Sequence, residues 1–141
     1  MTSPISPIIN ALNQPFWTAA EEGVLVLPFC TSTDRAFWPP SPNSPYEPRS
    51  EVAWCRVEPR GVLRALAVYQ RSFLKSFEPF LPYGIGLVEV APAVRLQAFV
   101  RDPLGPNAPQ ADDAVILAFE RLLPGHVPVL SVRKGDDDDG E

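Results

Sequence analysis

Proline is the feature that most constrains this chain, because 18 of its 141 residues are proline. Inside a helix, proline removes a backbone hydrogen bond and clashes with the preceding turn, so this content excludes a helical bundle. Inside a sheet, proline is confined to edges, turns and bulges. Five prolines fall between residues 39 and 48, where only short extended pieces and turns can form. The sequence therefore predicts a mainly β chain with one long proline-rich connection.

Apolar runs of strand length, separated by turn residues, occupy most of the chain outside that connection. Strands are predicted over 24–29, 52–57, 62–69, 84–90, 94–100, 114–120 and 127–132. Five strands of about 6–8 residues at hairpin spacing are typical of a small antiparallel barrel. A five-stranded barrel of the OB type matches that count, and a small β-sandwich is the alternative.

A short helix is predicted over residues 13–22, since Phe16, Trp17 and Ala20 share one face at helical spacing. Proline is tolerated in its first turn, and a glycine follows its last residue. The chain is therefore predicted to divide into four segments. These are an arm and helix over 1–22, a hairpin over 23–50, a barrel over 51–132 and a disordered tail over 133–141.

The charge of the chain is concentrated at its C-terminus. The net charge is −5, and five of the 17 acidic residues lie in the segment 136–141, which leaves 12 acids against 12 basic residues. Such an acidic run is most often a solvated end. Residues 49–75, by contrast, are locally cationic.

Two cysteines and one histidine limit the chemistry available to the chain. Two cysteines do not make a disulfide framework. Because no basic cluster precedes an apolar run at the N-terminus, Cys30 and Cys55 are expected to be reduced thiols in a cytoplasm, and a bridge between them is the alternative. No apolar stretch approaches the roughly 18 residues that cross a membrane. His126 lies in a turn-like Pro-Gly-His-Val-Pro segment, and Asp112 and Asp113 point to opposite strand faces. No catalytic constellation is therefore predicted.

Several short motifs occur in an order that resembles a known family. They are Pro15-Phe16-Trp17, the strand entering Cys30, Phe37-Trp38-Pro39-Pro40, Trp54, the Gly61 turn, Leu81-Pro82-Tyr83, Gly86-Leu87-Val88-Glu89 and Ala118-Phe119-Glu120. Together they resemble the acyl-CoA-associated OB-fold proteins that carry a rubredoxin-like zinc ribbon and act as accessory subunits of thiolase or lipid-transfer-protein-like enzymes. The resemblance covers residues 15–120 and implies that the 23–50 hairpin is a degenerate ribbon.

Zinc ligands of that family are largely missing here. Two Cys-x-x-Cys knuckles would provide four thiolates, and the corresponding positions are Cys30, Thr33, Ser44 and Glu47. Only Cys30 keeps a thiol, and hydroxyl groups stay protonated near neutral pH, so the zinc site is predicted lost and no cofactor is expected. A weak site of Cys30, Asp34 and Glu47 is the alternative, although this set matches no common structural site. Without metal, aromatic–proline packing or a partner must order the hairpin.

The resemblance implies a non-catalytic accessory subunit that binds a thiolase-fold enzyme, a thiolase or a thiolase-like aldolase, and helps form its acyl-CoA site. Aromatic side chains are common interface anchors, and the candidates for partner binding are Phe16, Trp17, Phe37 and Trp38. Arginine suits phosphate oxygens, and the candidates for acyl-CoA contact are Arg64, Arg71 and Tyr83. The alternative roles are core packing for the aromatics and a solvated strand face for the arginines.

An OB barrel can also bind single-stranded nucleic acid through a basic groove and stacking aromatics. The candidates for that function are Arg64, Tyr69, Arg71 and Phe73. The neutral charge of residues 1–135 and the acidic tail oppose it, because binding to a phosphate chain depends on basic contacts.

Overall fold

The computed structural model describes residues 10–71, 75–125 and 127–135, which form a mainly β protein with one α-helix. The helix is α1 (Gln14–Glu21), and a 3-10 helix spans Lys75–Phe80. The strands are β1 (Val26–Cys30), β2 (Arg35–Ala36), β3 (Val52–Arg56), β4 (Arg60–Tyr69), β5 (Tyr83–Ala91), β6 (Val94–Arg101), β7 (Ala114–Glu120) and β8 (Val129–Lys134).

The predicted arm over 1–9, Phe73, His126 and the acidic run 136–141 lie outside the described residues. No helix in the described ranges is long and apolar enough to cross a membrane.

Strands β4 to β8 close into a barrel in the order β4-β5-β6-β8-β7. Neighbouring strands are antiparallel except β6 and β8, which run parallel and pair at Phe99 and Ser131. The barrel closes where β7 pairs with the beginning of β4. This is the five-stranded closed arrangement of the OB type, so the predicted fold class is confirmed and the sandwich alternative is wrong.

The other three strands form a small antiparallel sheet in the order β2-β1-β3. The predicted barrel, over 51–132, included β3, but β3 pairs with β1 along its whole length, from Val26 opposite Arg56 to Cys30 opposite Val52. This assignment was wrong because β8, and not β3, supplies the fifth barrel strand. The barrel therefore begins at Arg60, and β8 continues to Lys134, two residues into the predicted tail.

Alternate residues of the barrel strands fill its interior. Leu63, Val88, Val94, Val100 and Val115 are fully buried. The same core cluster contains Phe16 of α1 and two leucines from the chain around β1, Leu25 and Leu27. The helix, the small sheet and the barrel therefore share one continuous hydrophobic core.

Candidate functional site

A group of aromatic rings, here called the aromatic cluster, joins α1, the small sheet and the barrel. The Phe16 ring lies at its centre, with centroid distances of 4.8 Å to Trp17, 5.0 Å to Trp38 and 5.8 Å to Phe119. Trp38 in turn meets Trp54 edge to face at 6.4 Å. Such offset and edge-to-face arrangements are the favourable geometries for aromatic pairs. The cluster therefore holds Trp17 and Trp38 against the same ring, that of Phe16.

Local hydrogen bonds determine where α1 begins and therefore where Trp17 lies. The Asn10 side-chain oxygen accepts the backbone N–H groups of Leu12 and Asn13, at 3.0 and 3.1 Å. In return, the Asn13 side-chain oxygen accepts the Asn10 N–H at 2.8 Å. Pro15 then occupies the first turn, where its missing N–H costs no intrahelical bond. These bonds position a helix of only eight residues.

A cleft of about 500 Å³ opens between the aromatic cluster and the barrel. Trp17 and Trp38 form one side of it, and Leu87 of β5 belongs to the opposite, barrel side. Arg95 and Gln97 of β6 add polar groups to this mainly apolar cleft. A cleft of this size and composition is suited to an apolar group that carries a few polar atoms.

A second, shallower cleft of about 300 Å³ lies on the outer face of β4 and β5. It shares Leu87 and Gln97 with the first cleft and continues past Ile85 to Tyr69. Tyr69 is 43% exposed and stacks on Tyr83 at 5.2 Å. The two clefts form one surface, here called the apolar track, which runs from the two tryptophans to Tyr69.

The predicted partner-binding residues divide into two pairs. Trp17 and Trp38 are partly exposed and line the apolar track. Phe16 and Phe37 are only 4% exposed, and partner binding by any of the four rings stays a prediction. Phe16 supports the tryptophans, while Phe37 packs edge to face against Tyr46 at 6.4 Å, within the small sheet and its loop. Spacing in the sequence could not separate the buried pair from the exposed pair.

Of the predicted acyl-CoA residues, Arg64 lies apart from the end of β4, where Tyr69 pairs with Tyr83. Arg64 bonds to Glu89 at 3.1 Å and to Asp112 at 3.0 Å, and these two carboxylates raise the pKa of its guanidinium. Its charge is therefore already matched within the chain. Tyr83 is buried, and its ring stacks on Tyr69, five residues further along β4 than Arg64. Arg71 is exposed just beyond the end of β4.

Arg95 is a site residue that sequence reasoning missed. It lines the first cleft, and its guanidinium lies 3.7 Å from the Glu89 carboxylate while half of its side chain stays exposed. The alternation along β6 predicts that Arg95 and Gln97 face outward, since the alternating residues Val94 and Leu96 are buried. That alternation could have identified both residues, but not the tryptophans that lie across the cleft from them.

Of the four positions that the resemblance aligns with zinc ligands, three lie together near the tip of the small sheet. Cys30 is fully buried, and the Ser44 and Thr33 hydroxyls lie close enough to affect the pKa of its thiol. The Ser32 hydroxyl lies 3.5 Å from the same sulfur. Glu47 is exposed, and its carboxylate accepts the backbone N–H of Arg49 at 3.3 Å. The fourth position therefore takes no part in the group around Cys30.

Hydroxyl groups determine the acidity of this thiol. Burial raises the pKa of Cys30, but hydrogen bonds with Ser44, Ser50, Thr33 and Ser32 outweigh burial and lower the pKa to about 5. Hydrogen bonds that stabilise the charged form of an acid lower its pKa.

The donor set does not fit structural zinc. Such sites use four thiolate or imidazole ligands, and this group offers one thiol surrounded by hydroxyls. In the part of the chain that the structure describes, no three His, Cys, Asp or Glu side chains are grouped to hold a metal ion. The alternative set of Cys30, Asp34 and Glu47 is therefore not assembled either.

Comparisons with known proteins give one informative result. No protein-family model matches the chain, and no curated protein matches it by sequence. Among solved structures, the chain is similar to a chain of the structure titled "Ltp2-ChsH2(DUF35) aldolase". The TM-score is 0.78 at 23% sequence identity, and the match covers 91% of this chain and 98% of the other. At this identity the likeness shows that the two chains share a fold.

Proposed function

We propose that this protein is a non-catalytic accessory subunit that binds a thiolase-fold acyl-CoA enzyme and helps form or stabilise its substrate site. The observation that carries the proposal is the fold match, nearly complete for both chains, to a chain from a structure whose title names an aldolase. Two parts of the proposal, the thiolase fold of the partner and its acyl-CoA substrate, are taken from the family that the sequence resembles.

The side chains support a non-catalytic role. Among the described residues, neither cysteine has a base beside it: Cys30 is surrounded by hydroxyls, and the exposed Cys55 has a weak contact with the Ala53 carbonyl at 4.0 Å. Asp112 is paired with Arg64. To attack a thioester, a nucleophile needs an adjacent base or a lowered pKa and must also reach the substrate. The pKa of Cys30 is lowered, but its thiol is fully buried.

The apolar track is the proposed surface for the partner. Tryptophan and tyrosine are enriched among the residues that dominate binding energy, and Trp17, Trp38 and Tyr69 line this surface. Small side chains at Ala65 and Ala67 keep the part of the track near Tyr69 shallow, so another protein can approach the strands closely.

Arg95 and Arg71 are the proposed contacts for the acyl-CoA phosphates. Arg95 lines the first cleft and is half exposed, and Arg71 is exposed beyond the end of β4. A guanidinium can bind phosphate oxygens through two parallel hydrogen bonds. Arg64 is less suited to this role because two carboxylates already bind it.

A cytoplasmic location is part of the proposal. Both cysteines are free thiols, Cys30 buried and Cys55 exposed. Free thiols persist in a reducing compartment.

Co-expression with the thiolase-fold enzymes of the same genome, followed by size-exclusion chromatography, tests the proposal. We expect one of these enzymes to elute together with this chain. The double variant Trp17→Ala/Trp38→Ala should weaken that complex by at least tenfold, because two large anchors are lost. Leu104→Ala is the matched control, since Leu104 is 60% exposed and lies outside both clefts. A chain that stays alone with every such enzyme, or that hydrolyses acyl-CoA unaided, would contradict the proposal.

Single-stranded nucleic-acid binding is less consistent with the structure. Of its candidates, Arg64 is bound by two carboxylates, and Phe73 lies outside the described residues. Arg101 on the same barrel face is paired with Glu120. A gel shift on single-stranded oligonucleotides, measured at low and high salt, distinguishes the two functions, and we expect no shift.

A further inference from the structure

Two loops meet at the tip of the small sheet around the buried Cys30 thiol. The first, residues 31–34, connects β1 to β2, and the second, residues 37–51, connects β2 to β3. We infer that a cage of hydroxyl groups, from Thr31, Ser32, Ser44 and Ser50, joins and orders these loops beside Cys30 and lets this part of the protein fold without a metal ion.

Ser50 provides the first link between the loops. Its hydroxyl lies 3.1 Å from the Thr31 hydroxyl and accepts the backbone N–H of Ser32 at 3.1 Å. The Thr31 N–H and the Thr31 hydroxyl both donate to the Glu51 carbonyl, each at 3.1 Å. These contacts tie the first loop to the start of β3.

Ser44 holds the second loop in shape and is only 2% exposed. Its hydroxyl oxygen accepts the backbone N–H groups of Tyr46 and Glu47, at 3.0 and 3.1 Å, and so closes a turn within the second loop. The same hydroxyl lies close enough to Cys30 to help lower the pKa of that thiol.

A clamp formed by Tyr46 adds to the cage. The Tyr46 hydroxyl donates to the Ala36 carbonyl at 3.0 Å, and the Arg35 guanidinium lies 3.9 Å from the centre of its ring. Tyr46 thereby holds the second loop against β2, while Ser50 holds the other end of the same loop next to β3. A cation over an aromatic face is attracted by the ring, so this contact favours the same arrangement of the loop.

Hydrogen bonding at the tip is complete without a metal. Within the ranges that the structure describes, every buried side-chain nitrogen and oxygen has a hydrogen-bond partner. A zinc ion would require its ligands to be deprotonated, which serine and threonine hydroxyls do not do near neutral pH. The cage therefore takes the structural role of the metal but not its chemistry.

Metal content and chelation provide the direct test on the wild-type protein. Protein purified without a metal-affinity tag should contain far less than one zinc per chain. Its melting temperature should change by less than about 1 °C when EDTA or excess zinc is added, since a ligand that does not bind cannot shift the folding equilibrium. Stoichiometric zinc, or a melting temperature that falls with EDTA, would overturn the inference.

Single substitutions test the cage itself. Ser44→Ala and Ser50→Ala should each lower the melting temperature by about 3–8 °C, because backbone N–H groups lose their acceptor. Ser41→Ala is the control, since this hydroxyl lies in the same loop and accepts only the exposed Asn43 N–H, at 3.2 Å. If Ser44→Ala and Ser50→Ala melt like the control, the hydroxyls do not hold the loops together and the inference fails.

Discussion

Serine and cysteine differ by one atom, and at position 44 this atom separates a hydrogen-bonding hydroxyl from a possible metal ligand. A thiol loses its proton within reach of neutral pH and can then bind zinc, whereas a hydroxyl keeps its proton and forms hydrogen bonds. The resemblance to the zinc-ribbon family led to the prediction that the ligand positions at Cys30, Thr33, Ser44 and Glu47 are degenerate. The part played by Ser50 could not be predicted, because that residue reaches Thr31 only after the second loop has folded back.

The two cysteines should differ sharply in reactivity. Cys55 is exposed and Cys30 is fully buried. In native protein, we expect iodoacetamide to modify Cys55 within minutes and to leave Cys30 unmodified, with both reacting in denaturant. Mass spectrometry of the labelled peptides measures this. Rapid modification of Cys30 in the native state would show that the cage opens readily.

The low pKa of Cys30 predicts a dependence of stability on pH. This pKa is about 5 in the folded protein, against an ordinary value of 9.0. Between these values the unfolded chain holds a proton that the folded chain lacks, so this contribution to stability increases with pH and is lost as pH falls through about 5. Urea midpoints at pH 5.5, 7 and 8.5 should therefore rise more steeply in wild type than in Cys30→Ser. Equal slopes in the two proteins would contradict the assigned pKa.

Among the elements, those with clear alternation of buried and exposed residues were predicted closely from the sequence. The strand predicted over 114–120 has the bounds observed for β7, and the one predicted over 94–100 is one residue shorter than β6. The sheet to which β3 belongs was not predictable, because an isolated strand pattern does not identify its partner. Its partner is β1, more than 20 residues earlier in the chain.

Gly61 is required where the barrel closes. It pairs with Val115 of β7, and a Cβ at this position would lie 2.2 Å from the Glu89 carbonyl oxygen of β5. Because backbone atoms cannot move aside, we expect Gly61→Ala to lower the free energy of unfolding by about 3 kcal/mol. Urea unfolding followed by circular dichroism measures this loss.

Gly23→Ala is a suitable comparison for that variant. Gly23 has a φ of +76°, but nothing lies within 4 Å of the place where its Cβ would be. The left-handed backbone alone costs about 1 kcal/mol for alanine. A loss at Gly61 no larger than the loss at Gly23 would mean that the strands separate easily at the closure.

For the whole molecule, the sequence predicted the fold class but not the apolar track. Strand count and spacing were sufficient for a five-stranded barrel, since few closed arrangements suit five short strands. The track depends on the packing of α1 and Trp38 beside β5 and β6, which are contacts between distant parts of the chain. Residue types identified Trp17 and Trp38 as candidates, and only the three-dimensional arrangement separated them from the buried Phe16 and Phe37.

The shared core predicts that the protein unfolds as one unit. All three tryptophans lie in the helix and the small sheet with its loop, while most of the β structure lies in the barrel. Tryptophan fluorescence and far-ultraviolet circular dichroism should therefore give coincident urea curves. Phe16→Ala should shift both curves together and lower the free energy of unfolding by about 3 kcal/mol, because it removes a large buried ring. Separate transitions would mean that the two parts fold independently.

The direction of β8 has a practical consequence. Val129 and Leu130, at its beginning, line the first cleft, and Lys134, at its end, pairs with Val115 near the start of β7. At about 3.3 Å per residue, the strand carries the backbone roughly 17 Å away from the cleft before Gly135. A sensor chip or fluorophore attached beyond Gly135 would thus leave the tryptophans open to an incoming protein, whereas one attached ahead of Asn10 would lie close to the helix that presents Trp17.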